Sequence, residues 1–137
     1  MERHQRLSDR EFEEQFATAK LRPSYFTHEA HLRLAWIHIH QYGIDKAVEE
    51  IPRQIRSYAE SLGVFDKFNM TVTVAAVKAV YHFYLQSEKD NFSSFIKAYP
   101  QLKTKFKEVL AQHYQVDIYR NPEAKANFLE PDLLPFD

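Results

Sequence analysis

The sequence contains no cysteine and only two glycines, Gly43 and Gly63. Without cysteine the protein has no disulfide, no zinc site built on thiolates and no cysteine nucleophile. Two glycines so far apart cannot form a dinucleotide-binding fingerprint, a phosphate-binding loop or a nucleophile elbow, since each of these motifs needs closely spaced glycines. The composition therefore excludes several large enzyme classes and selects none.

An excess of charge and a long apolar run are also missing. Eighteen Lys and Arg residues stand against nineteen Asp and Glu, which gives a formal net charge of -1. The densest basic stretch, Lys97 to Lys107, is interpreted as solvated surface, so no nucleic-acid partner is predicted. No uncharged apolar run reaches the roughly twenty residues that cross a bilayer, and the N-terminus lacks the apolar segment of a secretion signal. These absences predict a cytoplasmic protein without a membrane partner.

What the sequence does contain is helical periodicity. Of its 137 residues, 45% are hydrophobic, so residues 1–137 are expected to form a single domain around one core. Few turn residues and a repeated 3.6-residue spacing of apolar side chains predict an all-α fold. We expect a single-domain bundle of about six to seven helices around a central apolar helix at about residues 70–88, followed by an extended C-terminal tail.

Caps and breakers set the expected helix boundaries. Ser8 and Glu11 form a capping box at the start of the first helix, and Gly43 is placed to end the second. Pro52 lies inside the third pattern and predicts a kink or break near Glu49, because proline removes a backbone donor. The predicted helices span about residues 9–20, 28–42, 45–63, 70–88, 92–99, 102–114 and 122–129. The tail is expected to lay three large apolar side chains on the body of the protein: Leu133, Leu134 and Phe136.

Four of the seven histidines fall in the predicted second helix. His28 and His31 are neighbours at i and i+3, close enough to bind one metal ion or one substrate group together. His38 lies two turns further along and cannot join them without another element. His40 is predicted on a different face, at the surface. The pair of His28 and His31 is therefore the main candidate for chemistry.

The string from His28 to His31 reads H-E-A-H, one residue shorter than the zinc-protease pattern H-E-x-x-H. The shortening rotates Glu29 by about 100° from the first histidine, so the zinc-protease arrangement is not reproduced. Glu29 and Arg33 instead share a helix sector with the surface residue His40. Three interpretations of the histidine pair stay open: a metal centre, a polar pocket, or structural histidines bonded to the backbone or to carboxylates.

Two weaker candidates lie further along the chain. On the predicted central helix, a stripe of small or polar residues interrupts the apolar surface and faces either a cavity or the solvent: Thr71, Ala75, Lys78 and His82. His113 and Tyr114, at the end of a later helix, either project into a site or interact favourably with the helix dipole. The periodicity alone does not choose between these alternatives.

The segment Phe26 to Trp36 resembles the F-T-H-x-x-H-L-x-x-A-W signature of a family of small bacterial all-helical proteins whose function is unassigned. The similarity continues to about Pro135 through shorter landmarks: Gly43, Ala47, Ile55, Tyr58, Gly63, Thr71-Val72-Thr73, His113-Tyr114, Ala124-Lys125 and Phe128 to Leu133. The resemblance implies a shared pocket at these positions. Asn69 stands where the family often has histidine, and asparagine is a poor transition-metal ligand. The resemblance therefore favours a pocket over a metal centre.

We expect a small polar pocket that binds a small molecule, with acid/base chemistry on that molecule as an extension. The candidate catalytic residues are His28, His31 and His113. The candidate ligand-binding residues are Asn69, Thr71, Thr73 and Tyr114. No metal site is predicted, and the sequence identifies no cofactor. The alternatives are a non-catalytic protein-interaction module or a homodimer, supported by the aromatic content, and in third place a metal-dependent enzyme.

Overall fold

The computed structural model describes residues 2–136, and within that range the protein is all-helical, with 67% helix and no strand. The α-helices are α1 (Asp9–Ala17), α2 (His28–Tyr42), α3 (Ile44–Ser61), α4 (Met70–Gln86), α5 (Phe92–Ala98), α6 (Gln101–Thr104), α7 (Phe106–Ala111) and α8 (Pro122–Ala126). Three short 3₁₀-helices lie at Arg3–Arg6, Pro23–Tyr25 and Phe65–Lys67. The predicted all-α bundle is confirmed.

Helices α2, α3 and α4 pack against one another and form the centre of the bundle. Their largest core side chains are essentially inaccessible to water: Leu32, Leu34, Trp36, Ile37, Ile51, Val77 and Val80. Helices α7 and α8 cover other faces of α4, and α1 covers α2 and α3. Burial of this apolar surface is the main stabilising term of the fold. Within residues 2–136 no helix is both long enough and apolar enough to span a membrane.

Two predicted helices in the C-terminal part of the chain differ from the structure. The predicted helix 102–114 is divided into α6 and α7, because Lys105 between them has φ -135° and ψ 37°, outside the helical region. The last helix, α8, ends at Ala126 rather than near residue 129, because the backbone at Asn127 and Leu129 bonds to the side chain of Thr71 instead of continuing the helix. The bundle therefore has one α-helix more than the six to seven predicted.

The predicted break near Glu49 is absent, since α3 continues through Pro52 from Ile44 to Ser61. Proline in a helix interior costs one backbone hydrogen bond and about 3 kcal/mol of helix propensity. One face of α3 is buried along the bundle, including Ala47, Ile51 and Ile55, and Pro52 itself is buried. Tertiary packing of this face offsets the local cost of the proline.

The chain before α1 is held on α2 by a buried network of charged groups. His4 is fully buried, and its Nε2 lies 2.6 Å from the Glu29 carboxylate. Arg33 donates to the backbone carbonyls of His4 and Leu7 and to the Asp9 carboxylate. Glu29 and Arg33 are thus buried, whereas the sequence pattern had placed them in the same sector as a surface histidine. His40 itself is exposed, as expected.

The extended tail runs along the end of α7. The backbone N–H of Leu133 donates to the carbonyl of His113 at 3.0 Å, and Phe136 is buried. Leu133 and Leu134, by contrast, are 52% and 57% exposed. The expectation that all three apolar side chains pack on the body is correct for Phe136 and wrong for the two leucines, because the backbone bonds of the tail direct those side chains outward.

Candidate functional site

A cavity of about 340 Å³ lies between α2, α3, the start of α4 and the start of α7. We call it the α2–α4 cavity. Its walls are mostly apolar, with a few polar side chains among them: His28, His31, Leu32, Ala35, Ile51, Ile55, Lys67, Phe68, Asn69, Val72, Thr73, Ala76, Val77 and Phe106. A concave apolar cavity with a small number of polar groups is typical of small-molecule sites. The apolar walls also differ from the polar pocket that the sequence predicted.

His28 has one ring nitrogen fixed by the backbone. Its Nε2 donates to the carbonyl oxygen of Leu102 at 3.0 Å, since a carbonyl can only accept. The ring also packs edge-on against Phe106, with 4.7 Å between ring centroids. In the neutral ring, Nδ1 is therefore left as a hydrogen-bond acceptor.

His31 is fixed in the opposite tautomer. Its Nδ1 donates to the carbonyl of Thr27 at 3.2 Å, and its ring packs at a tilt of 31° against Phe26, with 3.9 Å between centroids. Burial lowers the pKa of His31 from 6.5 to about 4, with a smaller contribution from the nearby His28, although the bond to Thr27 acts in the other direction. His31 is therefore neutral at physiological pH, with Nε2 as an acceptor.

Asn69 and Thr73 line the cavity, but their side chains already form hydrogen bonds with the backbone. Asn69 Oδ1 accepts from the N–H of Val72 at 3.0 Å and caps α4, while its Nδ2 donates to the carbonyl of Ile118 at 2.9 Å. The hydroxyl of Thr73 donates to the carbonyl of Asn69 at 2.7 Å. Both residues shape the wall near His28 and His31 and leave little hydrogen-bonding capacity for a ligand.

Thr71 and Tyr114 do not line this cavity. Thr71 is fully buried, and its hydroxyl donates to the carbonyl of Asn127 and accepts from the N–H of Leu129. The hydroxyl of Tyr114 donates to the carbonyl of Leu129 at 2.6 Å. Burial, with the charges of nearby carboxylates, raises the pKa of Tyr114 to about 12. Their contacts hold the segment after α8 against the bundle, which is a structural role.

His113 lies in a second cavity, of about 470 Å³, that shares no lining residue with the α2–α4 cavity. Its Nδ1 donates to the carbonyl of Leu134 at 2.8 Å, and its ring stacks on Phe136 at 4.0 Å. The structure thus brings together His28, His31, Asn69 and Thr73 and separates His113 from them. The fold places His113 beside the C-terminal tail, a long-range pairing that the sequence did not predict.

No protein-family model matches the chain, and no curated protein or solved structure matches it either. The chemistry of the cavity is what indicates a function.

The polar stripe on α4 faces neither a cavity nor the solvent over its first half, so neither alternative from the periodicity describes it as a whole. Thr71 and Ala75 are fully buried, and the ammonium of Lys78 lies 4.9 Å from the ring centroid of Phe128, in the segment after α8. His82, at the far end, lines the second cavity. The stripe is therefore largely covered by α8 and the residues that follow it.

Sequence reasoning missed Lys67 and Phe106 as parts of the site. Lys67 ends the 3₁₀-helix Phe65–Lys67, and Phe106 begins α7. Neither belongs to a motif, and both reach the cavity only through the packing of α3, α4 and α7. A smaller neighbouring cavity of about 300 Å³ shares four lining residues with the α2–α4 cavity: His31, Ile55, Lys67 and Phe68. We call it the Tyr58 cavity, because Tyr58 lines it.

Within residues 2–136, three potential metal ligands converge at Glu2, His4 and Glu29, whose ligand atoms lie within 4.8 Å of one another. The ammonium of Lys103 lies 3.1 Å from Glu2 and 3.0 Å from Glu29. A cation of the protein thus already pairs with both carboxylates, so the cluster is an ion-pair network. It does not involve His28 or His31.

Proposed function

We propose that the α2–α4 cavity binds a small, largely apolar molecule that donates a hydrogen bond, such as a phenol. The observation that carries this proposal is the pair of opposite tautomers. Nε2 of His28 donates to the carbonyl of Leu102, and Nδ1 of His31 donates to the carbonyl of Thr27. In the neutral rings, one unprotonated acceptor nitrogen then remains on each histidine in a mostly apolar lining, and a ligand hydroxyl is a neutral group that matches such an acceptor.

The same observations favour binding over proton transfer at His31. A general base works best when its pKa lies near the working pH, and the pKa of His31 is about 4. A base with so low a pKa holds a transferred proton poorly at neutral pH. An acid/base reaction in this cavity would therefore depend on His28, which is exposed at the surface.

The test is a comparison of two probes that differ by one hydroxyl, toluene and 4-methylphenol, by titration calorimetry or ligand-observed NMR. We expect 4-methylphenol to bind about fivefold more tightly, since one hydrogen bond contributes roughly 1 kcal/mol. In the His31→Phe variant the ring still packs on Phe26 but has no acceptor, and the hydroxyl preference should shrink. His40→Phe, the same exchange on the exposed end of α2, is the matched control and should bind like the wild type.

The pH dependence gives a second readout. Because burial keeps the pKa of His31 at about 4, the part of the hydroxyl preference that His31→Phe removes should stay constant between about pH 6 and pH 8, a range in which an ordinary histidine titrates. Equal binding of both probes, or an unchanged hydroxyl preference in His31→Phe, would contradict the proposal.

A further inference from the structure

Lys67 is the one charged residue that lines either of the two adjoining cavities in the described part of the chain. Within residues 2–136, no Asp or Glu lines the α2–α4 cavity or the Tyr58 cavity. The other lining groups are apolar side chains, neutral amides and hydroxyls, and the two histidines. Among the described residues, the lining of these two cavities therefore offers a ligand one positive charge and no negative charge.

The ammonium of Lys67 has no hydrogen-bond or ion-pair partner among residues 2–136. Some other lysines are engaged: Lys103 pairs with Glu2 and Glu29, and Lys125 donates to the backbone carbonyl of Asp66. Lys67 is also exposed. An exposed lysine on an apolar cavity can keep its ammonium hydrated at the rim while its stem lies along the wall.

We propose that the ligand is an aromatic hydroxy acid with a single carboxylate, which pairs with Lys67 at the rim while the hydroxyl donates to His31 or His28. This inference rests on the proposed function. The aromatic ring would lie against the apolar wall that includes Phe106 and Val72. The volume of about 340 Å³ suits a small ligand, since it lies at the lower end of the roughly 300–1,000 Å³ range of such sites.

A carboxylate is favoured over a phosphate by the number of cations. Phosphate carries more charge at neutral pH and is usually bound by several donors, often including arginine. The lining of the two cavities contains one lysine, no arginine and two histidines, of which His31 is neutral at pH 7 because burial lowers its pKa. The single positive charge of Lys67 balances the single negative charge of a carboxylate ligand.

The experiment adds a third probe to the series. 4-Hydroxyphenylacetate differs from 4-methylphenol by a carboxylate, so the ratio of the two affinities isolates the anionic group. We expect the wild-type protein to bind 4-hydroxyphenylacetate about fivefold more tightly at low salt, as for a well-placed ion pair that is partly exposed. The preference should decrease as ionic strength rises.

Lys67→Gln should abolish the carboxylate preference and leave the affinity for 4-methylphenol unchanged. Lys89→Gln removes the same charge from the exposed loop between α4 and α5 and should retain the preference. Equal binding of the two probes by the wild type, or a preference that survives Lys67→Gln, would overturn the inference, while the advantage of 4-methylphenol over toluene would still support the hydroxyl site. Absence of that advantage would count against the proposed function itself.

Discussion

Ala19 ends the first helical segment in a conformation that glycine adopts more easily. Its φ is 57°, in the left-handed region, and the next two N–H groups, of Lys20 and Leu21, donate to the carbonyl of Gln15. A Cβ is unfavourable in this region, which is why glycine is common just after helices. The sequence prediction extended this helix to about Lys20, beyond its end at Ala17.

Ala19→Gly should therefore stabilise the protein by about 1 kcal/mol, since the relief of strain exceeds the extra entropy of the unfolded glycine. Urea denaturation followed by circular dichroism measures the change. Ala17→Gly, at the last residue of α1, is the matched control and should destabilise by up to about 1 kcal/mol. A loss of stability in Ala19→Gly would show that the positive φ carries no strain.

His38 and His31 show that contacts outside the helix determine the role of a histidine. His38 is fully buried, and its Nδ1 donates to the carbonyl of Leu34, one turn earlier in α2. His31 makes the same type of bond to Thr27 but also lines a cavity. The spacing of the two residues along α2 does not distinguish His31 from His38. The environment beyond the helix makes one a core residue and the other a candidate ligand-binding residue.

At the scale of elements, Thr71 connects α4 to the segment that follows α8. Its buried hydroxyl donates to the carbonyl of Asn127 at 2.9 Å and accepts from the N–H of Leu129 at 3.0 Å. Thr71→Val keeps the shape but leaves both backbone groups without their partner, so we expect a loss of about 2 kcal/mol in the free energy of unfolding. Thermal and urea denaturation measure it.

The control for Thr71 is Thr73→Val, which removes only a bond to the carbonyl of Asn69 within α4 and should cost less stability. Binding of 4-methylphenol to Thr71→Val should match the wild type, because Thr71 does not line the α2–α4 cavity. Weaker binding at unchanged stability would return Thr71 to the set of ligand-binding residues, where the sequence had placed it.

At the scale of the whole molecule, Glu29 joins three parts of the chain. Its carboxylate accepts from His4 and Gln5 before α1 and from Lys103 in α6. Burial alone would raise the pKa of Glu29, but the hydrogen bonds from Lys103, Gln5 and His4 outweigh it, so the pKa is lowered from its ordinary 4.5. A lowered folded-state pKa means that ionised Glu29 stabilises the fold above about pH 4.5 and that this stabilisation is lost as the pH falls through the folded-state pKa.

Glu29→Gln should accordingly destabilise the protein by about 2 kcal/mol at pH 7, because the variant keeps the shape but loses charge-assisted bonds to buried partners. The difference from the wild type should vanish in acid, below the folded-state pKa. Urea denaturation at a series of pH values measures both effects. Glu49→Gln, an exposed position on α3, is the control. A Glu29→Gln penalty that persists unchanged in strong acid would contradict the ion-pair assignment.

By itself the sequence determined the local features of this protein. The capping box of Ser8 and Glu11 and the end of α2 at Gly43 both lie where the pattern places them, because each depends on residues within one helical turn. The all-α class followed from the same short-range periodicity. The pairing of His28 and His31 on one helix face is local for the same reason.

Only the tertiary structure decided which distant residues meet. It placed Lys67 and Phe106 beside the two histidines, moved His113 to a separate cavity under the tail, and buried Glu29 beneath the N-terminal segment. It also kept α3 continuous through Pro52. These outcomes depend on packing between helices far apart in the chain, where burial of apolar surface and pairing of buried charges outweigh local propensity.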